Sequence, residues 1–311
     1  MQATLKKMAG FDGVGLHSGA PARLEIHPAS AGHGIVFRRT DLTPAADIPA
    51  RWDHVTPSKL CTLLDDGKGT TLSTVEHIMA ALAGTGIHNA LVTVNGPEVP
   101  ILDGSAAPFV RGILRAGIAL QAVELRAIRV LRPVEVREGE AYARLTPADH
   151  LVIDFDIDFS DAAIGHQEMR LDMANGAFVR ELADSRTFCR QADVETMQRN
   201  GLALGGTYLN AVVVDGARVL SPGGLRHSDE AVRHKMLDAM GDLALAGAPL
   251  LARYTGHRAG HAMTNRLLRA LFADPTAWAW ETCSSALEDR LPGAGVAAYG
   301  DLAGIAAIAA E

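Results

Sequence analysis

The sequence contains little cysteine and no long apolar run, and these two absences limit the kind of protein that it can encode. Its three cysteines, Cys61, Cys189 and Cys283, are odd in number and far apart. They provide neither a disulfide framework nor a CxxC metal motif, which favours a reducing compartment. No apolar stretch approaches the ~20 residues that a membrane-spanning helix needs. The first residues, Met1–Lys7, lack the apolar core of a signal peptide, so we expect a cytoplasmic protein.

Positive charge is also scarce. The formal net charge is -7 at pH 7, whereas a nucleic-acid-binding protein usually carries a basic face, so we expect no nucleic-acid partner. Aromatic residues make up only 5% of the chain, but hydrophobic residues make up 48%, which is enough for well-filled cores. A length of 311 residues favours two domains over one.

The chain divides into two halves that repeat one order of elements. Each half begins with strands, continues with a helix that carries candidate metal ligands, and then has another helix. The patterns predict strands at 22–26, 34–37, 90–94, 127–131 and 151–159, and helices at 73–84, 107–116, 230–246 and 265–272. The repeat predicts a site between the halves and a boundary near 122–126.

Two of the predicted helices carry side chains that suit a metal ion. His234 and Asp238 are four residues apart and therefore share one helical face. A third imidazole from another helix, such as His77, would complete three protein ligands and leave a coordination position open for water. Glu76, next to His77, would then be placed to take a proton from that water. The pattern points to a zinc hydrolase.

Each of these signals also has an ordinary structural reading when it is taken alone. A histidine such as His77 in an amphipathic helix is more often an interior side chain than a ligand. The pair His234 and Asp238 is equally consistent with ordinary helix stabilisation. His261 follows a glycine before a helix, which suits either a mobile acid–base group or a surface loop. Asp242, four residues beyond Asp238, either orients a catalytic imidazole or is solvated.

Two further patterns carry little functional weight. Asp154, Asp156 and Asp158 imitate part of a calcium loop, but apolar residues separate them and the loop glycine is missing, which favours a solvated strand face. The glycines at Gly13 and Gly15 precede a strand-like segment, whereas a dinucleotide-binding loop precedes a helix. These glycines are typical of a tight turn.

Five segments, taken in order, resemble the family of UDP-3-O-acyl-N-acetylglucosamine deacetylases, the zinc amidases of lipid A biosynthesis in Gram-negative bacteria. The resemblance covers the chain from Gly13 to about Leu271. It is carried by Ser73-Thr74-Val75-Glu76-His77, Pro100-Ile101-Leu102-Asp103-Gly104-Ser105-Ala106, Ser185-Arg186-Thr187-Phe188, Val232-Arg233-His234-Lys235-Met236-Leu237-Asp238 and Gly260-His261-Ala262. Five such matches in one order strengthen each of the readings above.

The resemblance implies a metal centre with a neighbouring base. His77, His234 and Asp238 would be the ligands of Zn²⁺, although the same set also tolerates Fe²⁺. Glu76 would be the general base that takes a proton from the attacking water.

The resemblance implies four further roles near that centre. His261 would be the acid that protonates the departing amine, and Asp242 would position its ring. Thr187 would help to hold the oxyanion beside the metal. Lys235 would meet the charged diphosphate region of the substrate.

The fold implied by the resemblance is α+β, with two similar domains packed as a β-α-α-β sandwich around the site. The domains would span 1–123 and 124–274, and a weakly patterned tail, from which we expect little, would follow at 275–311. A β-α-β insert over about 189–219 would form a passage for the acyl chain. The residues expected to contact the substrate are Leu60, Cys61, Phe188, Val194, Leu202, Ala203, Gly206 and Thr207.

The implied activity is hydrolysis of the acetamide of UDP-3-O-(3-hydroxyacyl)-N-acetylglucosamine to the free amine and acetate, the committed step of lipid A biosynthesis. We expect a monomer that contacts lipid peripherally. The alternatives are an amidohydrolase acting on another acylated sugar, and a lipid-binding or structural-zinc protein. Glu76 and His261 argue against a structural zinc, which usually has four protein ligands and no adjacent base.

Departures from the family pattern concern the substrate rim and helix packing rather than the metal set. They lie at His88, Asp161-Ala162, His227 and Ala231.

Overall fold

The computed structural model describes residues 1–296, and the first half of these residues forms three sheets and two α-helices. A five-stranded sheet has the order β2-β3-β9-β4-β5, β6-β7-β8 form a small second sheet, and β1 pairs with β10. The strands are β1 (Gln2–Leu5), β2 (Ala9–Val14), β3 (Pro21–Pro28), β4 (Ile35–Arg39), β5 (Ala46–Pro49), β6 (Val55–Thr56), β7 (Leu63–Asp65), β8 (Thr71–Ser73), β9 (Ala90–Val94) and β10 (Ile118–Gln121). The helices are α1 (Glu76–Gly84), α2 (Ala107–Ala116) and a 3-10 turn at Trp52–His54.

The second half repeats the combination of sheet and helices. Its main sheet has seven strands, in which β19 pairs with β11, β13 and β14. The strands are β11 (Arg126–Val130), β12 (Val134–Glu138), β13 (Ala141–Pro147), β14 (Val152–Asp158), β15 (His166–Asp172), β16 (Phe188–Arg190), β17 (Val212–Asp215), β18 (Arg218–Val219), β19 (Leu250–His257) and β20 (Trp278–Thr282). The helices are α3 (Gln191–Arg199), α4 (Glu230–Ala244), α5 (His261–Ala273), α6 (Ser285–Glu288) and a π-helical turn at Phe178–Leu182.

Alternation of apolar and polar residues explains the strands that build the cores. In β3, Leu24 and Ile26 are buried while their neighbours reach towards solvent. In β14, Ile153 and Phe155 point inward and the intervening aspartates point outward. Side chains alternate between the two faces of a strand, so each sheet has one apolar face to cover. The helices cover those faces, and the predicted α+β class is confirmed.

The two halves meet where α1 packs against α4. Gly241 permits this close approach, because a Cβ atom at that position would lie 2.0 Å from the carbonyl oxygen of Glu76. On either side, α2 packs against α1 and β2, and α5 packs against α4, β12 and β13. The contact between α1 and α4 brings the start of α1 next to the middle of α4.

The structure differs from the sequence predictions at two helix starts. The first helix begins at Glu76 rather than at Ser73, because Thr71–Ser73 form strand β8. The last long helix begins at His261 rather than at Asn265, with Gly260 as its N-cap, so His261 does not lie in a loop. A histidine in the first turn of a helix is held more firmly than the loop residue that the glycine-rich sequence suggests.

The segment after Asp274 is more ordered than its weak pattern indicates. Strand β20 pairs with β11, and Cys283 and Leu291 pack with Leu125 in a small second core. The partner strand lies about 150 residues earlier, so no local periodicity reports the pairing. The part of the predicted tail beyond 296 lies outside the described residues.

Residues 188–219 form a β-α-β unit followed by a hairpin strand. Strands β16 and β17 pair in parallel, with Phe188 opposite Val212, and α3 crosses between them. This unit lies where the resemblance implies an acyl-binding insert. None of the helices in residues 1–296 is long and apolar enough to span a membrane.

Candidate metal and acid–base centre

The contact between α1 and α4 brings His77, His234 and Asp238 together in the interior. Asp238 Oδ1 lies 3.3 Å from His234 Nε2 and 3.6 Å from His77 Nε2. The two imidazole rings are nearly perpendicular, with centroids 5.0 Å apart. One ligand atom from each residue lies within 4.8 Å of the other two, and all three side chains are buried. The three residues can therefore face one ion.

The hydrogen bonds around this group leave ligand atoms free to face such an ion. His234 Nδ1 lies 3.0 Å from the carbonyl oxygen of Ser185, which fixes the tautomer whose Nε2 carries a lone pair. Asp238 Oδ2 accepts a hydrogen bond from Lys235 Nζ at 2.7 Å. Asp238 Oδ1 is buried and has no hydrogen-bond partner among residues 1–296. A buried carboxylate oxygen without a partner is costly, and a cation would satisfy it. The group therefore fits a divalent metal.

Protonation of these groups is also suited to metal binding. Burial lowers the pKa of His234 to about 4, which keeps its imidazole neutral at neutral pH. Burial alone raises the pKa of Asp238, but its electrostatic interactions with His234 and Lys235 outweigh burial and hold the pKa well below its usual range. Neutral imidazole and ionised carboxylate are the forms that coordinate metals.

Glu76 lies beside the metal-type residues at the start of α1. Its Oε2 accepts a hydrogen bond from the backbone N–H of Thr62 at 3.0 Å. Its Oε1 lies 3.9 Å from His261 Nε2. Burial raises the pKa of Glu76, against the opposing charges of His261 and His77. A carboxylate of raised pKa, buried in a cleft, is typical of a general base.

His261 approaches the same point from the start of α5. Its Nδ1 lies 2.8 Å from Asp242 Oδ2, and its Nε2 lies 3.8 Å from Asp238 Oδ2. Burial alone lowers the pKa of His261, but Asp242, Glu76 and Asp238 outweigh it and raise the pKa to about 9. His261 thus faces the buried carboxylate of Glu76 with one ring nitrogen and hydrogen-bonds to Asp242 with the other.

Thr187 lies in a short segment that runs past the ring of His234. The segment begins with Ser185, whose carbonyl faces His234, and ends with Phe188, whose ring centroid is 6.2 Å from that of His234. The backbone N–H of Thr187 donates to the carbonyl of Gly104 at 2.8 Å. The fold therefore holds Thr187 beside the centre. Its predicted bond to an oxyanion stays a prediction.

The predicted substrate-contacting residues fall into two groups. Leu60 and Cys61 lie in the loop before β7, where Leu60 is exposed and Cys61 is buried next to Thr62. The others lie on the β-α-β unit, half-buried or exposed: Phe188, Val194, Leu202, Ala203, Gly206 and Thr207. A Cβ atom at Gly206 would lie 3.6 Å from the side chain of Leu16, so the tip of this unit lies against the turn at 15–19 that follows β2.

Two residues of the centre have no clear signal in the sequence. Thr62 donates its hydroxyl to Asp242 Oδ1 at 2.6 Å, in addition to its N–H bond to Glu76. His17 has a buried Nε2 without a hydrogen-bond partner in residues 1–296, and burial, together with the charge of His261, lowers the pKa of His17 against the opposing effect of Glu98. His17 lies within the stretch that the resemblance covers, but no role was assigned to it there. Thr62 belongs to no pattern.

Comparison with known proteins gives one family. The family model described as UDP-3-O-acyl N-acetylglycosamine deacetylase matches residues 2–273. A UDP-3-O-acyl-N-acetylglucosamine deacetylase of Vibrio parahaemolyticus is 46% identical over 283 residues, which are 90% of this chain and 93% of the relative. A protein of the same name from Shewanella sp. (strain W3-18-1) is 47% identical over 279 residues, which are 89% of this chain and 91% of the relative.

Proposed function

Since the chain belongs to the UDP-3-O-acyl N-acetylglycosamine deacetylase family, we propose that it is a zinc-dependent deacetylase of lipid A biosynthesis. Its substrate is UDP-3-O-(3-hydroxyacyl)-N-acetylglucosamine, and its products are the free amine and acetate. One observation carries the proposal. Glu76 Oε1 and His261 Nε2 lie 3.9 Å apart, and His77, His234 and Asp238 form a buried metal-type group beside them, so the proposed base, acid and metal ligands lie in one cluster.

The metal would be held by His77, His234 and Asp238. When bound, zinc would lower the pKa of water to about 7 and polarise the amide carbonyl. Three protein ligands leave a coordination position open, whereas a structural zinc site usually has four. Ferrous iron fits the same donor set, because affinity depends on geometry and availability as well as on ligand type.

The proton steps belong to Glu76 and His261. Glu76 takes a proton from the attacking water, and burial raises the pKa of this carboxyl, which makes it a stronger base. His261, protonated because its pKa is raised to about 9, gives a proton to the nitrogen of the departing amine. An amine leaves poorly unless it is protonated, so the second acid is needed.

Two further side chains contribute charge and hydrogen bonds in this proposal. The Thr187 hydroxyl donates to the oxygen that becomes negative as the carbonyl is attacked, because such charge needs donors already in place. Lys235 meets the substrate's diphosphate region, and its pKa is raised because Asp238 outweighs the effect of burial. Positive charge therefore persists there at neutral pH.

The β-α-β unit supplies the acyl passage in this proposal. We assign Leu60, Cys61, Phe188, Val194, Leu202, Ala203, Gly206 and Thr207 to its walls and mouth. A leucine at Gly206 would reach towards Leu16 and narrow the passage. The variant Gly206→Leu should turn over short acyl chains better than long ones, and an unchanged preference for long chains would contradict the assignment. We further propose a cytoplasmic monomer with domains at 1–123 and 124–274.

Acetate release from UDP-3-O-(3-hydroxyacyl)-N-acetylglucosamine tests the function. Wild-type protein, metal-stripped protein, protein reloaded with Zn²⁺ or Fe²⁺, and Glu76→Ala are compared. We expect activity to vanish on stripping and return with about one equivalent of metal, while Glu76→Ala binds metal but loses at least about 100-fold in kcat. Tight metal binding without acetate release would redirect the search to other amides. Full activity of the metal-stripped protein would show that the reaction does not require a metal.

A further inference from the structure

A concave pocket of about 430 Å³ opens between β2 and α2 in the first half. Its walls include Lys7, Met8, Phe11, Arg111 and Arg115. The ring of Phe11 lies directly over the backbone of α2, because a Cβ atom at position 112 would lie 2.3 Å from Phe11 Cζ. The pocket therefore has a firm aromatic wall, surrounded by cationic side chains.

The cations around this pocket have no carboxylate partner. Arg111 and Arg115 are one helical turn apart on α2, so their like charges lie on one face. Within residues 1–296, neither guanidinium nor the Lys7 ammonium makes an ion pair or a hydrogen bond with a carboxylate. Other arginines of the protein do have a carboxylate partner. For example, Arg38 Nε lies 2.6 Å from Asp47 Oδ1.

The nearby acidic charge is already engaged. Asp103 is the carboxylate whose charge reaches Arg111, but its Oδ2 accepts a hydrogen bond from Arg226 at 3.1 Å. Burial, and then the charges of Arg115 and Arg226, lower the pKa of Arg111 against the opposing effect of Asp103. The pocket is thus locally positive in a chain of net charge -7, and an anion would relieve the repulsion.

We propose that this pocket binds a phosphate group, with Arg111 and Arg115 contacting its oxygens and Lys7 adding a third positive charge. The planar guanidinium group matches phosphate through paired hydrogen bonds, and a concave site with several cations favours phosphate over a single carboxylate. The phosphate belongs to a soluble ester or to a lipid headgroup. Met8, which is 46% exposed at the rim, offers apolar contact to the remainder of the ligand.

This site is separate from the proposed deacetylase centre. Its walls include none of the residues assigned to the deacetylase centre, and Lys235, which is assigned to the substrate diphosphate, lies on α4 in the other half. Binding can therefore be measured without turnover, and a failure of the deacetylase assignment would leave this measurement intact.

The test compares Arg111→Gln/Arg115→Gln with Arg38→Gln/Arg137→Gln, which changes net charge equally at exposed arginines outside the pocket. Calorimetric titration with inorganic phosphate and with glycerol 3-phosphate probes the soluble source. Co-sedimentation with vesicles of equimolar phosphatidylglycerol and phosphatidylcholine, against pure phosphatidylcholine, probes the lipid source. Arg115→Gln alone, at an exposed position, serves if the double variant does not fold.

We expect the pocket variant to lose about 10- to 100-fold in affinity for one of the two sources, and the control to lose less than about 2-fold. If the pocket variant loses affinity for the soluble phosphates, the ligand is a soluble ester. If it loses affinity only for phosphatidylglycerol vesicles, the ligand is a lipid headgroup. Equal losses in the pocket and control variants would mean general electrostatics and overturn the proposal. So would equal binding by wild type and the pocket variant.

Discussion

Gly241 in α4 lies directly against the backbone carbonyl of Glu76 in α1, and this contact sets the distance between the proposed base and the metal-type residues. A Cβ atom at position 241 would lie 2.0 Å from that oxygen, far inside van der Waals contact. The neighbour is backbone rather than a flexible side chain, so the helices themselves must move to make room. Position 241 therefore controls both the packing of the two halves and the geometry of the centre.

Gly241→Ala should lower the free energy of unfolding, because overpacking costs about 1–3 kcal/mol and a clash with backbone lies at the upper end of that range. Alanine's higher helix propensity returns only about 1 kcal/mol. Urea unfolding measures the change, and activity should fall with it because Glu76 moves away from Asp238. Gly96→Ala is the matched control, because its Cβ atom would meet nothing nearer than 4.0 Å. Equal stability of the two variants would contradict the packing argument.

Thr62→Val should lower kcat about 10- to 100-fold with little change in KM. Valine has nearly the same shape, but it cannot donate to Asp242 Oδ1, which now accepts the threonine hydroxyl at 2.6 Å. A hydrogen bond to a charged group contributes roughly 1.5–3 kcal/mol, and its loss frees Asp242 to turn away from His261. Thr62→Ser keeps the hydroxyl and should restore most of the rate. Wild-type kcat in the valine variant would show that Asp242 needs no such anchor.

Glu230→Gln should destabilise the protein by about 3–5 kcal/mol, because it leaves the Arg186 guanidinium buried without a counter-charge. The two side chains are 1% and 6% exposed, and Glu230 also accepts the backbone N–H of Arg186 at 2.9 Å. Chemical unfolding gives the magnitude. Glu135→Gln, which breaks an exposed pair with Arg137, should change stability by less than about 0.5 kcal/mol.

Glu230→Gln should also make the protein release its metal faster. Arg186 lies between Ser185, whose carbonyl fixes the ring of His234, and Thr187. Loss of the clamp at Glu230 lets this segment shift, so we expect about 10-fold faster metal release to a chelator, as for other residues that orient a metal ligand. Unchanged release from a folded Glu230→Gln protein would confine the pair to a structural role.

His227 predicts a pH-dependent contribution to stability. Its hydrogen bond with Asp184, 3.0 Å from Nε2, raises its pKa, while partial burial and Arg233 act in the opposite direction. A raised folded pKa adds stability that is fully present below the unfolded value of about 6.5 and is lost as pH rises through the folded value. His227→Phe should therefore be less stable than wild type by at most about 1 kcal/mol at pH 6, and this difference should vanish at alkaline pH. A difference independent of pH would place the effect in packing.

Local sequence patterns correctly predict the elements whose ends are marked by turn or capping residues. The strand at Ala90–Val94 and the helix at Ala107–Ala116 match their predictions residue for residue, since the strand ends before a turn sequence and the helix ends at Gly117. Helical spacing alone placed His234 and Asp238 on one face. Residue type and position in the sequence made His77 and His261 candidates with other possible roles, and the resemblance then linked them to the same centre.

Contacts between distant residues escape such patterns. Thr62 and Asp242 are 180 positions apart, and a threonine in a loop next to a short strand has many other uses. Likewise, β20 is recognisable only through its pairing with β11. The start of α5 at His261 was missed because the glycines before it indicate a loop, whereas Gly260 acts as the N-cap.

The division of the centre between α1 and α4 has a consequence for assembly. Glu76 and His77 come from the first half of the chain, and His234, Asp238 and His261 come from the second. Under the proposed mechanism, neither half alone contains enough groups to bind the ion and to move both protons. Two fragments separated near 122–126 should each be inactive. When the two fragments are mixed, the activity should be proportional to the number of complexes in which both fragments have folded and associated. Turnover would then serve as an assay of folding.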